Sequence, residues 1–338
     1  MPSDPAVSDD RRPAVAVAVV SWNTRELLAA CLRSLRPDAD AGLAEVWVVD
    51  NASSDGSAEL VRREFPWARL VACEENLGFG RAVNLVAQKT RTPWIAPANA
   101  DVELTPGALA RLLETGAARP RAGIVAPRLV LHDGSTQQSV HPFPTLPLTL
   151  VFNAGLHLLS RRLADHLLLE HHWDPERPRD VDWAIAAFQL VRREAFEQAG
   201  GFDEAHWMYA EDLDLAWRLS RLGWTTRYEP AAVVRHAASA AATQAFEEEV
   251  VDRWMAATYA WMARRRGMLR TWCYAAVNWL GATGRLALTR PRERRDPRRW
   301  APVAQEWRTW RRAHRAGLRS RRELLRAVAP PGRMGACD

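Results

Sequence analysis

The chain contains 338 residues, of which 48% are hydrophobic and 25% are charged. This is enough for one large domain or two, with a substantial hydrophobic core. The four cysteines lack the paired spacing of zinc ligands, and residues 1–13 lack the apolar core of a signal peptide. We therefore expect a cytoplasmic protein without a structural zinc site.

The charge is distributed unevenly along the chain. Residues 251–338 contain 21 arginines and 6 acidic residues, a net charge of +15 that leaves −9 on residues 1–250. This pattern predicts a basic C-terminal region beside an acidic N-terminal part. No recognised nucleic-acid-binding module accompanies the basic residues, so we expect no nucleic acid as a partner.

Residues 14–104 alternate between apolar runs and helical patterns. The run at 14–20 is rich in valine and is typical of a strand buried on both faces. Leucines at helical spacing follow it, and similar apolar runs recur at 45–50, 69–72 and 94–97. Strands that alternate with helices predict an α/β fold with a mostly parallel sheet.

Polar side chains stand where two of these predicted strands end. Asp50 ends the second strand and is followed by a polar loop at 51–57, and Asn99 and Asp101 end the fourth. Open α/β sheets bind ligands at the carboxyl ends of their strands, which favours a binding site here. Both acids also have a structural interpretation, because Asp50 can organise an Asx-turn and Asp101 can cap the next helix.

Residues 209–219 place three acids at the start of a predicted helix. Glu211, Asp212 and Asp214 precede leucines at helical spacing. The positive end of a helix stabilises an ionised carboxylate by about 0.3 to 1 kcal/mol, which suits a general base. Acids are also ordinary in a first helical turn that has no catalytic role, and taken alone this segment favours that interpretation.

Several segments together resemble the family 2 glycosyltransferases, especially their bacterial rhamnosyltransferase-like branch. The segments that carry the resemblance, in the order of the family, are 20–23, 48–57, 75–80, 99–101, 190–196, 200–204 and 209–219. The resemblance covers about residues 14 to 240. It implies a GT-A fold, in which a nucleotide-binding sheet is joined to an acceptor-binding half.

This resemblance implies a division of the chain into four parts. Residues 1–13 form a disordered N-terminus, 14–104 the nucleotide-binding half and 105–242 the acceptor-binding half, while 243–338 form a basic helical extension. The implied activity is the inverting transfer of a sugar from a nucleotide-diphosphate donor, with dTDP-rhamnose favoured over UDP-galactose and UDP-galactofuranose. The implied acceptor is a cell-envelope glycan or a lipid-linked glycan.

The resemblance also assigns roles to individual residues. It makes Asp212 the general base, and it makes Asp101 and His236 ligands of Mn²⁺ or Mg²⁺. The residues that it places at the nucleotide sugar are Ser21, Asn23, Asp50, Asn76, Arg81 and Asn99. His236 alone would more often be a structural histidine, and its place after an apolar strand pattern favours the ligand role.

Two departures from the family pattern favour an alternative. Asn99 stands where the family usually has the first aspartate of its metal-binding motif, so the metal would be held more weakly. Ala186 lies in a region where relatives often carry a glycine, and this loss could narrow the approach of the acceptor. The alternative is a non-catalytic nucleotide-sugar-binding or scaffolding protein on the same fold.

The remaining segments fit the family pattern less well. Residues 132–180, with a helical apolar stretch at 146–169, are expected to shape the acceptor site. A helix is predicted over 246–266, and the uncharged stretch at 271–284 is shorter than the roughly 20 residues that span a bilayer. The tryptophans at 300, 307 and 310 lie among arginines, which suits a helix on an anionic membrane or a basic helix packed on the acidic half.

Overall fold

The computed structural model describes residues 13–169, 172–237 and 250–329. Its strands are β1 (Val15–Ser21), β2 (Ala44–Asp50), β3 (Arg69–Ala72), β4 (Trp94–Asn99), β5 (Val102–Leu104), β6 (Ala122–Val130), β7 (Val140–His141), β8 (Arg179–Val181), β9 (Trp183–Ala184), β10 (Leu190–Arg192) and β11 (Thr225–His236).

The helices alternate with these strands and then continue alone. They are α1 (Arg25–Asp40), α2 (Ser57–Glu64), α3 (Phe79–Lys89), α4 (Ala108–Ala118), α5 (Leu146–Asn153), a 3₁₀ helix (Leu156–Leu159), α6 (Arg161–His166), α7 (Arg193–Gln198), α8 (Glu211–Arg221), α9 (Val250–Arg265), α10 (Met268–Arg295), α11 (Pro297–Ala316) and α12 (Arg321–Arg326).

A nine-stranded mixed sheet forms the centre of the molecule. Its order is β3-β2-β1-β4-β10-β6-β11-β5, and β8 pairs with β11. The β3-β2-β1-β4 block is parallel, as are β6 and β11, whereas β5, β8 and β10 run antiparallel to their neighbours. The predicted α/β fold with helices flanking a central sheet is confirmed.

The sequence of β1 explains why it lies inside the sheet. Residues 15–19 have no exposed surface, because helices cover both faces of the strand. The register pairs Ser21 with Asp50 and Val20 with Asn99. The polar residues that end β1, β2 and β4 therefore meet at one edge of the sheet, as the sequence predicts.

The apolar segment at 146–169 is not one helix. It breaks into α5, the 3₁₀ helix and α6, because Gly155 adopts a left-handed conformation with φ of 72° and Ser160 caps α6 through Leu163 N. A two-stranded sheet of β7 and β9 joins this insert to the main fold. Residues 170 and 171 of the predicted insert lie outside the described part of the chain.

The C-terminal helices begin with one that belongs to the main core. Tyr259 and Trp261 of α9 are fully buried in the same apolar cluster as Leu213 and Leu215 of α8. The predicted helix over 246–266 is observed as Val250–Arg265, and residues 246–249 lie outside the described ranges. Within those ranges, no helix has the length and apolarity needed to cross a membrane.

Candidate active site

A cleft of about 430 Å³ opens at the carboxyl ends of the parallel strands. Its walls come from distant segments of the chain. Among the lining residues are Asn76, Asn99, Asp101, Gln137, Trp183, Ala186, Trp207, Glu211, Asp212, His236 and Trp254. The structure therefore brings Asp212, Asp101 and His236, predicted as base and metal ligands, to one cavity together with Asn76 and Asn99.

Asp212 lies in the first turn of α8 and is held by two backbone amides. Its Oδ2 accepts a hydrogen bond from Ala186 N at 3.1 Å, and its Oδ1 accepts one from Leu213 N at 2.7 Å. Tyr209 and Ala210, just before the helix, both have positive φ. A turn of this kind is strained for residues with side chains, and such strain often accompanies functional sites.

Burial changes the acidity of the two adjacent carboxyl groups at this turn. Glu211 and Asp212 are both less than 10% exposed, and desolvation raises the pKa of each. The charge of Asp212 raises the pKa of Glu211 further. In the described part of the chain, Oε2 of Glu211 has no hydrogen-bond partner. Asp212 is thus the firmly oriented carboxylate of the pair, and a raised pKa makes it a stronger base.

Asp101 and His236 form the second functional group of the cleft. The imidazole Nε2 of His236 lies 3.3 Å from Asp101 Oδ1, and both side chains are buried. The Nδ1 atom of His236 lies 2.8 Å from Gln137 Oε1. In the tautomer in which Nδ1 donates to this oxygen, Nε2 keeps a lone pair that would be available to a cation shared with Asp101.

This arrangement fits a divalent cation. The Nε2 atom of His236 is a buried polar atom without a hydrogen-bond partner among the described residues. Two ligand atoms on one six-coordinate ion stand about 3 Å apart, close to the separation seen here. A carboxylate and an imidazole suit Mn²⁺ or Mg²⁺. Asn99, which lines the same cleft, offers a neutral amide oxygen.

A second acidic cluster has ligand-like geometry but is already neutralised. Ligand atoms of Asp203, His206 and Asp214 lie within 4.8 Å of one another. The guanidinium of Arg265 is 2.6 Å from both Asp203 Oδ2 and Asp214 Oδ1. Burial lowers the pKa of His206 to about 4, so it stays neutral. We assign this cluster to an ion-pair network that joins α8 to α9.

More than half of the chain matches a known protein family. The family model described as glycosyl transferase family 2 matches residues 16–199. The chain belongs to glycosyl transferase family 2. Much of the cleft is therefore formed by the family 2 segment, and the predicted family is confirmed.

Similar proteins agree with this family. The chain is 36% identical over 208 residues, 56% of its length, to the N-acetylglucosaminyl-diphospho-decaprenol L-rhamnosyltransferase of Mycobacterium tuberculosis. The alignment spans 66% of that relative, just under two thirds of its length. The rhamnosyltransferase WbbL of Escherichia coli is 38% identical over 87 residues, which cover 25% of this chain and 32% of that protein.

A solved structure supports the fold. The mannosyltransferase PcManGT of Pyrobaculum calidifontis, in complex with GDP-Man and Mn²⁺, superposes with a TM-score of 0.54. The superposition covers 91% of this chain and 86% of that one at 19% identity. The predicted GT-A fold is confirmed by this likeness.

The other residues predicted at the nucleotide sugar lie outside the lining of the cleft. Ser21 Oγ bonds to Thr24 Oγ1 at 3.0 Å, and Asn23 Oδ1 accepts from Ser54 N at 2.8 Å. Both residues brace the loops that follow β1 and β2. Arg81, in the first turn of α3, has its Nε 3.9 Å from Glu204 Oε2. Their roles at a donor stay predictions.

Asp50 keeps one carboxylate oxygen available. Its Oδ2 accepts from Ser53 N at 3.1 Å, which is the local turn that the structural interpretation expects. Its Oδ1 is buried and has no hydrogen-bond partner within residues 13–169, 172–237 and 250–329. Burial raises the pKa of Asp50, against hydrogen bonds from Ser53 that lower it. A donor hydroxyl or base N–H could satisfy Oδ1.

Two residues of this family 2 site have no signal in the sequence. Gln137 orients His236 from the insert, and Trp254 reaches the cleft from α9. Neither belongs to a motif, and both come from segments remote from the strand ends. Trp254 was not expected because α9 was assigned to the basic extension.

Proposed function

We propose that this protein is an inverting glycosyltransferase that moves a sugar from a nucleotide-diphosphate donor to a cell-envelope or lipid-linked glycan. The observation that carries the proposal is the meeting of Asp212 with Asp101 and His236 in one cleft. The first is an oriented base, and the other two suit a cation at the donor diphosphate. One base and one cation suffice to displace a nucleoside diphosphate.

The chemistry follows from the positions of these groups. An acceptor hydroxyl gives its proton to Asp212 while its oxygen bonds to the anomeric carbon, and the bond from that carbon to the diphosphate oxygen breaks. Attack opposite the leaving group inverts the anomeric configuration. A Mn²⁺ or Mg²⁺ ion, when bound, would neutralise the charge that develops on the diphosphate. Asp101 and His236 would hold it.

The choice of substrates rests on similar proteins. We propose dTDP-rhamnose as donor, because two of the relatives are named rhamnosyltransferases. The mycobacterial relative is named for the acceptor N-acetylglucosaminyl-diphospho-decaprenol, so we propose a lipid-linked sugar diphosphate as the acceptor here. An acceptor of that kind lies in a membrane, so we also propose a cytoplasmic protein with peripheral contact at the inner face of the plasma membrane.

Donor turnover tests this proposal. Purified protein is incubated with dTDP-rhamnose, Mn²⁺ and a short-chain N-acetylglucosaminyl-diphospholipid, and the product is followed by mass spectrometry and its anomeric configuration by NMR. We expect a rhamnosylated product of inverted configuration. Tight donor binding without product over a panel of nucleotide sugars would instead favour the scaffolding alternative.

A further inference from the structure

Helix α10 exposes a long uncharged stripe. Leu269, Leu280 and Leu288 are 73%, 60% and 67% exposed, although aliphatic side chains of this size are usually inside. Residues 271–284 contain no charged side chain. At 1.5 Å per residue the stripe from Leu269 to Leu288 is about 29 Å long. Its exposed members are Leu269, Trp272, Cys273, Leu280, Gly284, Ala287 and Leu288.

Helix α5 packs against α10, and exposed leucines continue on α5 and on the 3₁₀ helix that follows it. Asn153 Nδ2 of α5 donates to Asn278 Oδ1 of α10 at 3.0 Å, and Arg285 donates to Asn153 Oδ1 at 2.8 Å. These contacts fix α5 along α10. Leu150 of α5 is 54% exposed, and Leu158 and Leu159 of the next turn are 70% and 82% exposed. We call the exposed leucines of these neighbouring elements, Leu150, Leu158, Leu159, Leu269, Leu280 and Leu288, the leucine face.

Arginines surround this face. Arg270 lies at the start of α10, Arg290 near its end, and Arg161 and Arg162 follow the 3₁₀ helix; all four are exposed. None of the four has an ion-pair partner in the part of the chain that the structure describes. The nearest acid of α10, Glu293, is engaged by Arg308 at 2.8 Å. The surroundings of the face are therefore strongly positive.

We propose that the leucine face docks on the surface of an anionic lipid bilayer. Exposed leucines would enter the boundary between headgroups and acyl chains, and the arginines would contact anionic headgroups. Two of the three tryptophans for which the sequence suggests this role pack on other side chains of the protein. Trp307 lies against Arg285 and Trp310 stacks on His314, and both are half-buried.

A second copy of the chain fits the same face less well. Exposed arginines stand near both ends of α10, at Arg270 and Arg290. If two copies paired their α10 helices, in either relative direction, arginines of one copy would face arginines of the other. Like charges of this kind oppose association. An anionic surface matches the same arrangement.

The face is also connected to the cleft. Strand β7 precedes α5 and pairs with β9, and His141 of β7 stacks on Trp183 of β9 at 4.7 Å between ring centroids. Trp183 lines the cleft. The choice of a bilayer rests in part on the proposed function, because a lipid-linked acceptor would then lie beside the membrane to which the leucine face is bound.

Vesicle sedimentation tests this inference without any substrate. The full chain is mixed with vesicles of phosphatidylcholine, with or without phosphatidylglycerol. The variants are Leu280→Glu with Leu288→Glu, and Leu158→Glu with Leu159→Glu. The control is Leu222→Glu, since Leu222 is 49% exposed but lies at the end of α8. All substituted leucines are exposed, so circular dichroism should show folded protein in each case.

We expect the wild type and the Leu222 variant to bind anionic vesicles alike and more tightly than neutral ones. Each leucine pair should weaken binding at least about tenfold, since two large apolar groups are lost from the interface. Unchanged binding of both variants would overturn the proposal. So would a wild type that dimerises in light scattering through these leucines and ignores vesicles. The leucine variants should still transfer the sugar to a water-soluble acceptor. This assay distinguishes failure of the leucine-face proposal from failure of the proposed glycosyltransferase activity.

Discussion

The carboxylate of Asp214 accepts a hydrogen bond from Arg265 Nε at 2.6 Å, and this contact ties α8 to α9. Asp214 is fully buried, and it also accepts from Trp261 Nε1 at 3.1 Å and Arg218 Nε at 2.7 Å. The helix that carries the candidate base therefore depends on a residue from the C-terminal region. Trp254 of the same C-terminal helix lines the cleft, so catalysis and the C-terminal region are structurally linked.

Removal of Arg265 should destabilise the protein strongly. In Arg265→Leu, the buried Asp214 carboxylate loses one of its two arginine partners and keeps Arg218, so the loss should approach the cost of about 3 to 5 kcal/mol for an unpaired buried charge without exceeding it. The free energy of unfolding from urea titration measures the loss. Arg36→Leu is the control, because the Arg36–Asp40 pair is exposed on α1 and should contribute under about 1 kcal/mol. Equal losses in the two variants would contradict the assignment.

The same ion pair gives the stability a defined pH dependence. Burial alone would raise the pKa of Asp214, but the hydrogen bond from Arg265 and the charge of Arg218 hold it below its usual value. A carboxyl whose folded pKa is depressed stabilises the fold above its unfolded pKa, and this contribution is lost as the pH falls through the folded pKa. The difference in the free energy of unfolding between the wild type and Arg265→Leu should therefore become smaller below about pH 4. A difference that stays constant down to pH 2 would argue against this mechanism.

Gln137 should control metal affinity from outside the ligand set. In Gln137→Leu, His236 loses the acceptor that fixes its proton on Nδ1, and such changes weaken metal binding by about 10- to 100-fold. Isothermal titration with Mn²⁺ in the presence of a nucleoside diphosphate measures the affinity. Asp203→Asn changes the second acidic cluster and should leave the affinity within about twofold of the wild type. If Asp203→Asn weakened Mn²⁺ binding more than Gln137→Leu did, the metal site would be at the second acidic cluster instead.

Glu211 and Asp212 should respond differently to neutral replacement. Burial raises the pKa of both, and the charge of Asp212 raises that of Glu211 further, so Glu211 is protonated where Asp212 is ionised. Glutamine mimics the protonated form, so Glu211→Gln should retain most activity. In the wild type and in Glu211→Gln, kcat/KM should fall on the acidic side with an apparent pKa above the value of about 3.9 for an exposed aspartate. A Glu211 variant without activity would make Glu211 the base.

The sequence predicts strands β1 to β4 well and the short strands β7, β9 and β10 less well. Strands β1 to β4 are four to seven residues long and carry continuous apolar runs, so their pattern is visible. Strands β7, β9 and β10 are only two or three residues long, which is too short for any periodicity. Their places depend on tertiary pairing, and so the antiparallel β10 between β4 and β6 was not foreseen.

The residues of the site also differ in how well the sequence predicts them. Asp50, Asn99 and Asp101 can be singled out from the sequence because each stands at the end of a predicted strand, whereas the role of Asp212 as base is implied by the family resemblance. Arg81 is implied at the donor by the resemblance; like Asp50 it lies outside the cleft lining, with its Nε beside Glu204, and its role stays a prediction. Gln137, Trp254 and Arg265 act through contacts between segments more than 50 residues apart in sequence. Contacts of that kind leave no local pattern.

The central claim is that Asp212 is the base of a sugar transfer. The decisive measurement is the rate of product formation from dTDP-rhamnose by wild type and Asp212→Asn under identical donor, metal and acceptor concentrations. We expect a loss of about 10² to 10⁴-fold in kcat with little change in donor affinity, because the amide keeps the shape but cannot accept the proton. A variant that turns over at the wild-type rate would contradict the account.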